Sequence, residues 1–287
     1  MEAPMTDNRI LFSRRAFAAS GLVAGFALAG GPVRADAIVT DAAGLVAGEV
    51  SIPVIDGVVP AYRAKPKGVA KAPLIVVVQE IFGVHAFIRD VCRRFAKLGY
   101  YAIAPSLYAR QGDPARYGAG EVTQLVAGIV SKVPDAQVMD DLDATAAFAG
   151  RDGGDLARAG ITGFCWGGRI VWLYCAHTAQ MRAGVAFYGP LTGEKTALKP
   201  VHPLDIAAQL KAPVLGNYGG QDKGIALGDV ALMRVALAAA GKSESRIDVY
   251  ANAQHGFFAD YRPSYDAVDA ARAWENTLVF LRSHEVG

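Results

Sequence analysis

Short apolar runs alternating with longer stripes of helical period predict an α/β chain, a doubly wound and mostly parallel sheet with helices on both faces. Three observations carry this. Residues 74–78, Leu-Ile-Val-Val-Val, are a continuous apolar run of the kind a strand covered on both faces requires. Comparable short runs recur at 101–104, 160–164, 184–187, 214–218 and 247–250, and patterns with helical spacing lie between most of them. No Ser/Pro/Gly-rich linker divides residues 38–287, so they are read as one domain.

The elements follow in order. Residues 49–64, with Asp56-Gly57 as turn, read as an antiparallel hairpin leading into the sheet. After the 74–78 strand, Ile88, Val91, Cys92, Phe95 and Leu98 share one helical face, and Gly99 stops the helix. Val122, Leu125, Val126, Ile129, Val130 and Val133 form a second stripe, ended by Pro134. Val138, Leu142, Thr145 and Phe148 make a third. A further helix begins near Gly167. Val230, Met233, Leu237 and Ala240 precede Gly241, and Val268, Ala271, Trp274, Leu278 and Leu281 close the chain.

Composition narrows the function. The chain has 287 residues, 52% hydrophobic and 20% charged, with a formal net charge of +2. A disordered polyelectrolyte is excluded, and the charge gives no nucleic-acid footprint. Three cysteines make no disulfide framework, and the absence of CxxC, HxH and HExxH spacings predicts neither a metal site nor another cofactor.

Residues 1–37 read as an address. Ser13-Arg14-Arg15-Ala16-Phe17 opens a stretch uncharged until Arg34, and Ala35-Asp36-Ala37 closes it. A basic start, a short apolar run and an Ala-x-Ala end predict a secretory signal cleaved after Ala37. The paired arginines resemble a bacterial twin-arginine signal, which engages export machinery for folded proteins and implies a periplasmic or secreted product. The run is short and rich in Gly and Ala, so a stable membrane anchor is not expected.

The chemistry lies at three turns. Gly163-Phe164-Cys165-Trp166-Gly167 follows a strand and precedes an apolar helix, which is the G-x-nucleophile-x-G elbow with cysteine as nucleophile. Such a turn lifts the side chain to a helix N-terminus, where free N–H groups favour a thiolate and an oxyanion. Cys92 and Cys175 lie within apolar stretches and read as core. Tyr218-Gly219-Gly220-Gln221-Asp222 sets a carboxylate just after a strand, and Gln254-His255-Gly256-Phe257 sets a histidine after the last one. Nucleophile, acid, histidine is the chain order of α/β-hydrolase triads. His85, His177, His202 and His284 read as surface or structural. The third turn, Gln79-Glu80-Ile81-Phe82-Gly83, ends the 74–78 strand, and the backbones of Ile81 and Trp166 are the candidate oxyanion hole.

Together with 105–111, Pro-Ser-Leu-Tyr-Ala-Arg-Gln, these motifs resemble the dienelactone hydrolase (carboxymethylenebutenolidase) family over nearly all of 51–282. The resemblance implies an α/β-hydrolase fold and lactone opening by a Cys–His–Asp triad without cofactor. Cys165 is then nucleophile, His255 base and Asp222 its orienting acid. It further implies that Glu80 contacts the resting thiol and takes its proton when substrate arrives. Family members that cleave dienelactones hold the substrate carboxylate with arginines, one of them four residues after the catalytic histidine. This chain has Ala259 there, leaving Arg262 and Arg116 as candidates, with Phe82 and Tyr108 as further candidate substrate contacts.

The leading expectation is therefore an exported cysteine hydrolase of small lactones or carboxylic esters, monomeric or dimeric. The alternatives are a non-catalytic binding protein on the same scaffold and a thiol redox protein. The second lacks a resolving cysteine.

Overall fold

The computed structural model describes residues 37–287, so the leader expected over 1–37 lies outside the described residues but for Ala37. Eight strands build one sheet: β1 (Leu45–Val54), β2 (Gly57–Pro66), β3 (Ala72–Val78), β4 (Tyr101–Pro105), β5 (Gly154–Phe164), β6 (Ala183–Phe187), β7 (Val214–Gly219) and β8 (Arg246–Tyr250). Their spatial order is β1-β2-β4-β3-β5-β6-β7-β8. The predicted hairpin is β1–β2, antiparallel about Val54↔Gly57, and β2 runs antiparallel to β4; every other pairing is parallel. This is the α/β-hydrolase type of sheet.

Six α-helices accompany it among the described residues: α1 (Ala86–Lys97), α2 (Val122–Gly128), α3 (Asp135–Arg151), α4 (Trp166–His177), α5 (Leu227–Ala239) and α6 (Ala267–Ser283). Residues 74–78 are inaccessible to solvent, as are 101–104, because helices cover both sheet faces. On α1 the buried side chains include Phe87, Ile88, Val91, Cys92 and Phe95, the face its period marked out. Cys92 and Cys175 are buried free thiols, and burial pushes both thiol pKa values well up, as suits inert core.

Four elements differ from their sequence pattern. On α6 the buried side chains are Ala270, Ala273, Thr277, Phe280 and Leu281, while Val268 and Ala271 of the expected stripe are exposed, and Leu98, just past the end of α1, is exposed as well. The stripe over 122–133 is not one helix: α2 stops at Gly128, and Val130–Lys132 form a separate 3₁₀ turn. A Cβ on Gly128 would lie 2.5 Å from the Tyr117 hydroxyl, so the two pack closely where α2 ends, and glycine is itself a poor helix former. Strand β5 begins at Gly154, before the 160–164 run, because Gly154 and Asp155 pair with Ala72 and Pro73 ahead of a register shift at Pro73/Leu74.

The connections fix where chemistry can occur. From β3 the chain crosses through α1 to β4 on one side, then returns through α2 and α3 to β5 on the other. The crevice at the carboxyl ends of β3 and β5 is therefore the topological switch point, the place where open α/β sheets bind ligands.

Candidate active site

Cys165 stands at that switch point, between the end of β5 and the start of α4. Its backbone is at φ 56°, ψ −117°, an uncommon conformation for a residue with a side chain, and one costing about 1–3 kcal/mol. Contacts on every side hold the turn. A Cβ on Gly163 would lie 2.5 Å from the Gly167 carbonyl oxygen, and one on Gly167 would lie 2.5 Å from that of Gln79. The elbow glycines are thus required by close backbone approach to β3. The Cys165 N–H donates to the Phe187 carbonyl at 3.0 Å, and the Cys165 carbonyl accepts from Gly168 N–H at 2.9 Å.

The acid and the histidine come from neighbouring loops joined by their backbones. Gly219 and Gly220 end β7 against Ala253 and Ala251, where any Cβ would collide with a carbonyl oxygen. Gly220 N–H donates to Tyr250 at 2.7 Å and Gln221 N–H to Ala253 at 2.9 Å. Asp222 then accepts from Gly224 and Ile225 N–H through Oδ1, and from His255 Nδ1 through Oδ2 at 2.7 Å. That bond fixes a proton on Nδ1 and turns Nε2 away from the acid. His255 also shares a hydrogen bond with Cys165. Burial works against its charge, but the Asp222 carboxylate and Cys165 together outweigh it and raise the imidazole pKa to about 10. The three residues expected to act together are brought together.

Glu80 is held by three side chains. Its carboxylate does not hydrogen-bond the thiol: Oε1 accepts from Arg262 Nη2 at 3.0 Å, and Oε2 accepts from the Tyr261 hydroxyl at 2.6 Å and faces His85 Nε2 at 3.2 Å. Burial alone would raise its pKa, but Arg262, His85 and Tyr261 overcome that and hold it at about 2. A carboxylate held this way is a weak base. Arg262 is correspondingly occupied: it is buried, bound to Glu80, and its guanidinium lies 5.3 Å from the centre of the Phe82 ring and 5.2 Å from that of Tyr261.

Ile81 and Trp166 present backbone N–H groups with no backbone acceptor among the described residues, as an oxyanion hole needs. Beside the site opens a cavity of about 740 Å³, lined among others by Phe82, His85, Arg89, Tyr108, Asp113 and Arg116. Cys165 and His255 are not on its wall, but Tyr108 on that wall packs edge-on against Trp166, and His85 faces Glu80.

Sequence reasoning missed His85, read as structural, and Tyr261. Both lie in the site through Glu80. Adjacency to Arg262 was the only signal for Tyr261, and none marked His85. The remaining histidines are structural or peripheral: His202 is locked between Arg169 Nε and the Glu194 carbonyl, His177 meets Asp143, and His284 meets Phe280.

The sheet and its switch-point site define an α/β hydrolase. The chain belongs to the dienelactone hydrolase family, whose model matches residues 59–285. It is 56% identical over 276 residues to a protein of Methylorubrum extorquens named as a carboxymethylenebutenolidase, covering 96% of this chain and 94% of that one. An Escherichia coli K12 protein of the same name is 50% identical, with 91% and 95% covered. The crystal structure of a Klebsiella pneumoniae protein titled a dienelactone hydrolase superposes with a TM-score of 0.81 at 53% identity, covering 83% of this chain and 98% of that one. The chain is a hydrolase of the lactone and carboxylic ester class.

Proposed function

We propose that Cys165 is the nucleophile of a small-ester or lactone hydrolase, with His255 as its proton carrier and Asp222 as the group that orients His255. The observation that carries this reading is the pairing of a strained elbow cysteine with a histidine whose other nitrogen is bound to a buried carboxylate at 2.7 Å. With its pKa raised to about 10, His255 is cationic at neutral pH and carries the proton that the leaving group needs. The sulfur attacks the acyl carbon, and the carbonyl π electrons move to oxygen, facing the N–H groups of Ile81 and Trp166. As the carbonyl re-forms, the bond to the leaving oxygen breaks and that oxygen takes the proton from His255. Water then gives a proton to the neutral imidazole and adds to the thioester, and the sulfur departs as thiolate while the carboxylic acid is released.

Glu80 serves here as the fixed counter-charge of Arg262 and not as the acceptor of the thiol proton, because a carboxylate held at about pKa 2 has little affinity for one. With Arg262 so engaged, the preferred substrate is a neutral ester or lactone whose body rests between Phe82 and Tyr108 in the adjoining cavity. Of the two arginines on the cavity wall, Arg89 pairs with Glu49, and Arg116, exposed at the rim, is left to meet a carboxylate-bearing substrate.

Mass spectrometry of enzyme quenched during aryl-ester turnover tests the nucleophile directly. An acyl adduct on the Cys165 peptide is expected, and a steady-state rate retained in Cys165→Ala would refute it. His255→Ala is expected to lose at least about a hundredfold in rate, and Asp222→Asn to be severely impaired through loss of the histidine tautomer.

We also propose export of the folded protein to the periplasm or beyond by the leader over 1–37. No described helix is long and apolar enough to cross a membrane.

A further inference from the structure

Tyr188 is the residue after β6, and its backbone lies at φ 37°, a left-handed conformation rare for an aromatic residue. The cause is the elbow beside it. Phe187 gives its carbonyl to the Cys165 N–H, Tyr188 N–H donates to the Asn217 carbonyl at 2.8 Å, and Gly189 lies directly on the Gly168–Arg169 backbone. The chain must kink there, and the kink brings the Tyr188 ring edge-on to His255, with centroids 5.1 Å apart and planes at 62°.

Its hydroxyl is fully buried and has no hydrogen-bond partner. A buried orphan hydroxyl is costly, and two neighbouring tyrosines avoid the cost. Tyr218 accepts from Trp172 Nε1 and donates to Gly189, while Tyr261 donates to Glu80. The charges that bear on the Tyr188 hydroxyl are those of Glu80, Arg262, Tyr261 and Cys165. The ring thus lies against His255, and the residue before it is bonded to the N–H of the nucleophile. Burial first, and the Glu80 carboxylate second, keep the phenol protonated, so it can only be a donor when anionic oxygen is near.

We propose that Tyr188 is a third hydrogen-bond donor to the substrate carbonyl oxygen as it becomes anionic, acting beside the backbone N–H groups of Ile81 and Trp166. The leaving oxygen is the other acceptor such a substrate offers, but the proposed mechanism gives it the His255 proton, which leaves the carbonyl oxygen to the buried hydroxyl. This assignment rests on the acyl-transfer reading of Cys165.

The test is Tyr188→Phe, which keeps the ring and removes only the oxygen, assayed with an aryl ester and the matching thionoester. Sulfur is a poor hydrogen-bond acceptor, so a donor to the carbonyl oxygen loses its effect when that oxygen is replaced. For the ester, kcat is expected to fall about a hundredfold with KM nearly unchanged, in line with loss of one oxyanion donor. For the thionoester the fall should be no more than about threefold, since the lost interaction is specific to oxygen. The thermal midpoint should not drop, because the hydroxyl has no protein partner to lose. Equal losses on both substrates, no loss on the ester, or a lowered midpoint accompanying the loss would each overturn the assignment. Acyl-adduct formation on Cys165 in the unsubstituted enzyme separates the two readings: its absence would defeat the nucleophile assignment, whereas its presence with equal losses would defeat only the role of Tyr188.

Discussion

Arg262 Nη2 lies 3.0 Å from Glu80 Oε1, and neither side chain is exposed to solvent. The pair joins two loops far apart in sequence and commits the arginine nearest the triad to an internal partner. A second acceptor on the same carboxylate binds Tyr261 and faces His85, so the ion pair is the centre of a hydrogen-bonded cluster beneath the cavity rim.

Breaking the pair from one side should be far worse than removing it. Glu80→Gln leaves the Arg262 guanidinium buried without counter-charge, with an expected loss of about 3–5 kcal/mol in urea unfolding. Glu80→Leu combined with Arg262→Met should recover most of that loss. A double variant as unstable as the single one would mean that the cluster is held by its hydrogen bonds more than by charge.

The same pair gives stability a defined dependence on pH. The Glu80 pKa falls from its usual 4.5 to about 2 in the folded chain, so its stabilising contribution is present above about 4.5 and is lost as pH falls toward 2. The stability difference between the unsubstituted chain and Glu80→Gln should therefore shrink across that interval. At the alkaline end the sign reverses. The His255 pKa is raised from 6.5 to about 10, so its contribution is complete below 6.5 and disappears as pH rises through 10. Denaturation midpoints measured from pH 2 to 10.5 test both limbs, and a flat difference curve at the acid end would contradict the Glu80 assignment.

Substrate charge should matter little. With Arg262 bound to Glu80 and Ala259 in the position after Phe258, the specificity constant for a lactone bearing a carboxylate should stay within tenfold of that for its neutral methyl ester, about 1.4 kcal/mol. A larger preference for the acid that vanishes in Arg116→Ala would show that the rim arginine reads the carboxylate.

Export is checked by fractionation. Lysine at both Arg14 and Arg15 should retain the protein in the cytoplasm of a bacterial host. An unchanged periplasmic yield would reject the twin-arginine assignment while leaving the hydrolase reading intact.

Much of this protein is determined by local sequence. Apolar runs such as 74–78 mark covered strands, the period of α1 marks its buried face, and Asp56-Gly57 marks the β1–β2 turn, because each depends only on neighbours along the chain. The elbow is equally legible, since glycines flanking Cys165 answer a backbone collision that any strand–nucleophile–helix turn creates. Tertiary structure decided the rest. It extended β5 back to Gly154, and brought Tyr261 and Arg262 to Glu80 across 181 and 182 residues. It also turned Tyr188 toward His255 by fitting the end of β6 around the elbow. Periodicity and turn chemistry say which face of an element is buried. Which loops meet above the sheet depends on strand order and register, and these are set by the packing of the whole chain.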